Sequence, residues 1–213
     1  MSGNSIAHVF AIRSGVEMLR RIGIDATMPD RRKKADIVAQ VPGGHNLGFL
    51  VQCARNFHGL ESFSLSVAKN CGVTRQNPTL GGMLGAFESL GYHIAKQGKI
   101  FEPNAPGVFM LLCYNGNVVS GAMPDKVLMT TRESLLRFVD RHSEELVSNI
   151  RVKASGQTKK SAFAMIGIRQ LYAEERCFWG GMRDMLEQHA KIDIILKYSL
   201  FPCRTYEECR CAA

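Results

Sequence analysis

The chain has 213 residues, 46 % of them hydrophobic and 22 % charged, which places it among globular proteins with one sizeable core and away from disordered chains. Its longest apolar stretch, Val108 to Cys113, is far short of the roughly 18 residues a crossing helix needs, and the N-terminus lacks the order of a signal peptide, so a cytoplasmic chain with no membrane partner is expected. Twenty-seven Lys and Arg against 19 Asp and Glu leave a formal charge of +8, and such a surface concentrates polyanions, nucleic acid foremost.

Val9, Phe10, Ile12, Val16, Leu19 and Ile22 recur at helical spacing, so residues 6–22 are predicted to form an amphipathic helix that Gly23 stops. Ile24–Met28 reads as a short strand, Arg31-Arg32-Lys33-Lys34 as a charged loop, and Ala35–Val41 as a second strand. The turn Pro42–Asn46 then leads into a third strand, Leu47–Cys53, which makes a hairpin with the second. Ser64–Asn70 and Leu80–Leu90 read as helices. Val108–Tyr114 is a strand, and Asn115-Gly116 predicts a hairpin with its return strand at residues 117–123. A helix follows from Thr131 to about Val147, capped by Thr130 or Thr131. Residues 151–160 carry Arg151, Lys153, Lys159 and Lys160 in a polar, Gly-containing stretch that reads as a linker. Beyond it Ala162–Cys177 and Met182–Leu200 read as two helices broken at Gly180-Gly181. The organisation expected is an α/β core over 1–150, a basic linker over 151–160 and a helical C-terminal region over 161–213.

The first 55 residues hold the pattern richest in chemistry. A helix bearing Glu17 precedes a strand bearing Asp36 and a strand ending Leu50-Val51-Gln52-Cys53-Ala54-Arg55. Adjacent strands that present an acid and an amide at one end can hold a divalent cation, which activates water against a scissile phosphate. Glu17, Ile22-Gly23-Ile24-Asp25-Ala26, Ala35-Asp36-Ile37-Val38 and Val51-Gln52-Cys53-Ala54-Arg55 together resemble the PD-(D/E)XK nuclease superfamily, with the Mrr-like restriction endonucleases nearest in look. The resemblance spans roughly a quarter of the chain. It implies a small mixed sheet flanked by helices, with a further helix and strand after the third strand. It also implies magnesium held by Asp36 and Gln52 with Glu17. Ala54 stands where that family has its lysine, and the neighbouring Arg55 is the available substitute, so an impaired or inactive catalytic set is expected.

Other patterns give further expectations. Leu65–Arg75 scans like the first helix and turn of a helix-turn-helix, with Lys96 and Lys99 on a wing, but the glycine-rich second helix offers few base-reading side chains. Val51-Gln52-Cys53 followed by a helical stretch and a hairpin resembles papain-like, bacteriocin-processing peptidases. That chemistry needs a histidine on the late hairpin, and residues 111–119 contain none. Cys53, Cys71, Cys113 and Cys177 read as buried thiols. Cys203, Cys209 and Cys211 cluster without zinc-knuckle spacing. Arg31, Arg32, Lys33, Lys34, Arg151, Lys153, Lys159 and Lys160 are the candidate phosphate contacts. The functional expectation is a nucleic-acid-binding protein on a nuclease-like core, able to form a homo-oligomer or join a larger complex through its C-terminal helices. The competing expectation is a structural or adaptor subunit with no nucleic-acid role.

Overall fold

The computed structural model describes residues 3–29, 35–41, 45–55, 61–67, 107–142, 145–146, 151–155 and 159–199. The chain divides into two units. The first comprises Met1–Leu60, Ala105–Ser134 and Glu175–Pro202; the second comprises Glu61–Asn104, Leu135–Glu174 and Cys203–Ala213.

The first unit begins with helix α1, Gly3–Arg21. Ala7, Ala11 and Met18 lie on its buried face, at the spacing that aligns side chains along one side of a helix. Gly23 ends it as expected. Its φ of 83° is one that glycine adopts without steric cost. There the Ile24 N–H donates to the Leu19 carbonyl at 2.9 Å and the Gly23 N–H to the Arg20 carbonyl at 3.0 Å, the paired bonds of a Schellman stop. Strands β1 (Asp25–Thr27), β2 (Ile37–Val41) and β3 (His45–Arg55) follow. They pair in sequence order as an antiparallel meander. Strand β5 (Val108–Tyr114) lies parallel to β3 on its other side, and β6 (Lys126–Thr131) and β9 (Cys177–Gly180) extend the sheet antiparallel. The result is a mixed six-stranded sheet, so the class is α/β. Every residue of β5 is buried, which is why its sequence is a continuous apolar run rather than an alternating one.

Helices α4 (Met182–Glu187) and α5 (His189–Tyr198) complete this unit. Ile192, Ile195 and Leu196 of α5 share one core with α1, Met110, Leu112, Val127, Met129 and Phe178. The His189 ring donates to the Ile22 carbonyl at 2.9 Å, tying α5 to the end of α1.

The second unit holds strands β4 (Ser62–Val67), β7 (Arg151–Ser155) and β8 (Lys159–Gly167), which form an antiparallel sheet in the order β4-β8-β7. Helix α2 (Arg132–Arg141) enters this unit after its first turn, and α3 (Ile168–Glu174) follows β8 directly. The last residues of both helices are tied by one carboxylate. Glu174 accepts from Arg141 at 3.0 Å and meets the His142 ring at 2.5 Å, and these partners, His142 first, hold its carboxyl below the usual range.

Several elements differ from those predicted. The return strand after Asn115-Gly116 is β6, not residues 117–123. The intervening chain folds over α1 instead: Val118 is buried and Ser14 donates to the Ala122 carbonyl at 2.6 Å. Residues 64–67, predicted helical, belong to β4, and the rest of the helix-turn-helix pattern lies outside the described residues. The 151–160 segment is not a linker, since β7 and β8 pair from Arg151↔Phe163 to Ser155↔Lys159. Ala162–Cys177 is not one helix. Its first part continues β8, held by β4, and Cys177 opens β9. The C-terminal region is therefore not a helical appendage, because β9 is a strand of the main sheet. Gly180 closes β9, so Gly180-Gly181 is a strand-to-helix junction and not a break between two helices, and the predicted 182–200 helix is divided into α4 and α5. The cap at Thr131 is as predicted: the Ser134 N–H donates to Thr131 Oγ1 at 2.9 Å.

Candidate functional site

Asp36 sits just before β2, whose regular pairing begins at Ile37↔Phe49; the predicted second strand is shorter by its first two residues. Its N–H donates to the Phe49 carbonyl at 2.9 Å. Its Oδ2 accepts from the Val51 N–H, also at 2.9 Å, so the side chain stands in for a backbone rung where the ladder starts. Its Oδ1 faces His8 Nε2 at 3.6 Å.

His8 comes from α1, beside buried Ala7 on the flank of the packed face. The ring is pushed up to about 9 by the Asp36 carboxylate and next by Cys53, with burial opposing them, so it is an imidazolium at neutral pH. Cys53 lies on β3 two positions beyond Val51, on the face that packs against the shared core. Deeper under α1, burial raises the Tyr114 hydroxyl, with Ser14 beside it opposing. The site thus gathers an imidazolium, a carboxylate, a thiol and two hydroxyls around the ends of the parallel pair β3 and β5.

The residues singled out in the sequence are distributed differently. Glu17 is on the exposed side of α1, paired with Arg21 at 3.1 Å, and about 13 Å further along the helix axis than His8. Gln52 is half-buried on β3, and strand alternation sets it on the face opposite Val51 and Cys53. Ala54 shares the Gln52 face, and Arg55 is exposed at the strand end. Arg31, Arg32, Lys33 and Lys34 lie outside the described residues, as do Cys71, Cys203, Cys209 and Cys211. Arg151 and Lys153 are on β7, and Lys159 and Lys160 on β8. Cys113 and Cys177 are buried thiols as predicted. Burial pushes both up to about 12, so they pack as small apolar groups.

A hard divalent cation requires a shell of oxygen acceptors. Around Asp36 the structure sets donors instead, the Val51 N–H and the His8 ring. Among the described residues no three His, Cys, Asp or Glu side chains are spaced to hold a metal ion. The magnesium ligand set implied by the nuclease resemblance does not fit this environment.

His8 was missed in the sequence. It stands on a helix with no motif around it, and only the fold carries it to Asp36.

Fold and site together define an α/β protein with a mixed six-stranded sheet and a carboxylate–imidazolium pair at the mouth of its second and third strands. No family model, curated protein or solved structure matches the chain. Among the described residues no helix is long and apolar enough to cross a membrane.

Proposed function

We propose that this chain binds nucleic acid and that its first unit is a restriction-endonuclease-like core that does not cut. Support for the core comes from element order. A helix precedes a three-stranded antiparallel meander, and the next strand of that sheet is parallel to the third. Asp36 stands at the start of the second strand, where the resemblance puts an acid. The observation that carries the loss of cutting is the ion pair of Asp36 with His8. The positive charge that a nuclease would take from a metal ion is here a side chain, which lowers no water pKa and bridges no phosphate oxygen. Ala54 in the lysine position removes the second positive agent. Binding rests on the excess of Lys and Arg, which releases counterions from a polyanion.

The test uses the full chain with labelled oligonucleotide and plasmid. The expected result is binding that weakens steeply between roughly 50 and 200 mM salt, and an intact plasmid in magnesium. Magnesium-dependent cleavage that disappears in Asp36→Ala would refute the inactive core. Absence of binding at low salt would refute the nucleic-acid reading and favour the adaptor reading. That alternative draws on the exposed Leu186, Ile194 and Tyr198 of α4 and α5.

A further inference from the structure

We propose that Cys53 is a thiol that hydroperoxides oxidise to sulfenic acid, with His8, held by Asp36, giving the departing oxygen its proton and the Tyr114 hydroxyl donating to the oxygen left on sulfur. This goes beyond the nucleic-acid reading and does not depend on it.

Two separate constraints bring the thiol to the ion pair. Asp36 Oδ2 accepts from the Val51 N–H at 2.9 Å, and Cys53 lies two residues further along β3 on the same face, packed against the core. From the helix side, the His8 ring faces Asp36 Oδ1 at 3.6 Å and has Cys53 as a second hydrogen-bonding partner. The cluster is open to small solutes: 40 % of the His8 side chain is exposed, and Cys53 is half-buried where Cys113 and Cys177 are buried. The parallel register sets Leu112 beside Cys53 and Tyr114 beside Arg55, so Tyr114 follows Cys53 on one face. Ser14, next to it, commits its single proton to the Phe10 and Ala122 carbonyls. The Tyr114 hydroxyl is buried with no hydrogen-bond partner among the described residues, and the Cys53 charge is among the causes that raise it. A buried O–H without an acceptor is costly, and here it sits where an acceptor on Cys53 would satisfy it.

In the step, the Cys53 thiolate sulfur attacks one oxygen of the hydroperoxide. An S–O bond forms as the O–O bond breaks, so sulfur gives up two electrons and the peroxide takes them. Hydroxide or alkoxide departs poorly until it gains a proton, and the His8 ring carries one, since beside Asp36 it is an imidazolium at neutral pH. The products are sulfenic acid on Cys53, water or an alcohol, and a neutral ring that solvent reprotonates. Two donors around one sulfur suit an electrophile that brings two oxygens, whereas a carbon electrophile with a halide leaving group needs neither. The sulfenic acid does not close into a disulfide with the described buried thiols. Cys113 lies beside Ala54, on the face opposite Cys53, and Cys177 is on β9, three strands away in the sheet order.

The experiment treats the reduced full chain with hydrogen peroxide, traps sulfenic acid with dimedone and follows the Cys53 peptide by mass spectrometry. A parallel reaction with iodoacetamide, whose iodide departs without a proton, reports access to the thiol alone. In wild type, Cys53 is expected to take dimedone well ahead of Cys113 and Cys177. His8→Gln is expected to slow the peroxide reaction roughly tenfold, below the usual gain from a general acid because water reaches the site, and to change the iodoacetamide rate much less. Tyr114→Phe is expected to be at least as stable as wild type in urea before oxidation, having no hydrogen bond to lose, and to react severalfold more slowly with peroxide. Circular dichroism melts confirm that each variant is folded, and the comparison of the three thiols in wild type needs no variant. Labelling of Cys53 no faster than Cys113 and Cys177 overturns the proposal, as does equal slowing of both reagents in His8→Gln. A loss of stability in Tyr114→Phe overturns the part given to that hydroxyl.

Discussion

Removing the His8 charge changes the pH dependence of stability in a direction the site fixes. The ring rises on folding from 6.5 to about 9, chiefly through Asp36. A group whose pKa is higher in the folded state stabilises that state fully below its unfolded value, and the stabilisation is lost as pH rises through the folded value. The window therefore runs from 6.5 to about 9. At roughly 1.36 kcal/mol per tenfold, the rise corresponds to about 3.4 kcal/mol. The ring is 40 % exposed, and screening by solvent reduces the figure to roughly 1–2 kcal/mol. Urea unfolding followed by circular dichroism, in reducing buffer at about pH 6 and about pH 9.5, brackets the window. Between these conditions wild type is expected to lose roughly 1–2 kcal/mol more stability than His8→Gln, since titrations common to both chains cancel. Equal losses would refute the charge pair and, with it, the argument that an imidazolium occupies the cation position.

Three further substitutions probe how the site is held. Asp36→Ala leaves the Val51 N–H without its acceptor and is expected to cost about 1–3 kcal/mol in urea unfolding below neutral pH. An unchanged midpoint would show that the side chain does not complete the ladder. Gly107→Ala sets a methyl group 2.8 Å from the Ser199 backbone carbonyl, which cannot swing aside as a side chain could; a loss of about 1–3 kcal/mol is expected, and a stability gain would contradict that close approach. Thr131→Ala removes the cap at the start of α2, where the Ser134 N–H is buried, and is expected to cost about 0.5–2 kcal/mol, with Thr131→Ser recovering most of it.

The legible parts of the fold are those whose signals are local. Gly23 marks the end of α1 because the stop needs one residue at positive φ, and β5 stands out because both of its faces are buried. The parts missed depend on partners distant in sequence. Residues 162–167 are an apolar run that fits a helix or a strand equally well, and what decides is β4, about a hundred residues earlier in the register. Strand β9 is four residues long and exists because β6 offers it an edge, with Thr130 donating to the Arg176 carbonyl at 2.9 Å beside the junction. Likewise Arg151-Val152-Lys153-Ala154-Ser155 alternates as a strand does, but small Val and Ala make the alternation faint beside the charges. At the site, Asp36 was legible from its place at the head of a strand. His8 was not, because neither the helix nor the strand records the other, and Glu17, which the nuclease resemblance singles out, pairs with Arg21 on the exposed side of α1.

Charge accounts for why, on the nuclease-like reading, binding must be sought away from Asp36. In a cutting core, a metal ion and a lysine supply positive charge beyond what the acids neutralise, and that excess grips the phosphate. Here His8 balances Asp36 one to one, and Ala54 contributes nothing. The pair is electrically neutral toward an incoming phosphate, and its donors already serve the carboxylate. Affinity for a polyanion then has to come from cations with no acid beside them. The sequences of β4, β7 and β8 carry four Lys and Arg and no Asp or Glu. On that reading, the neutral Asp36–His8 pair leaves any grip on a polyanion to the chain's excess of Lys and Arg elsewhere.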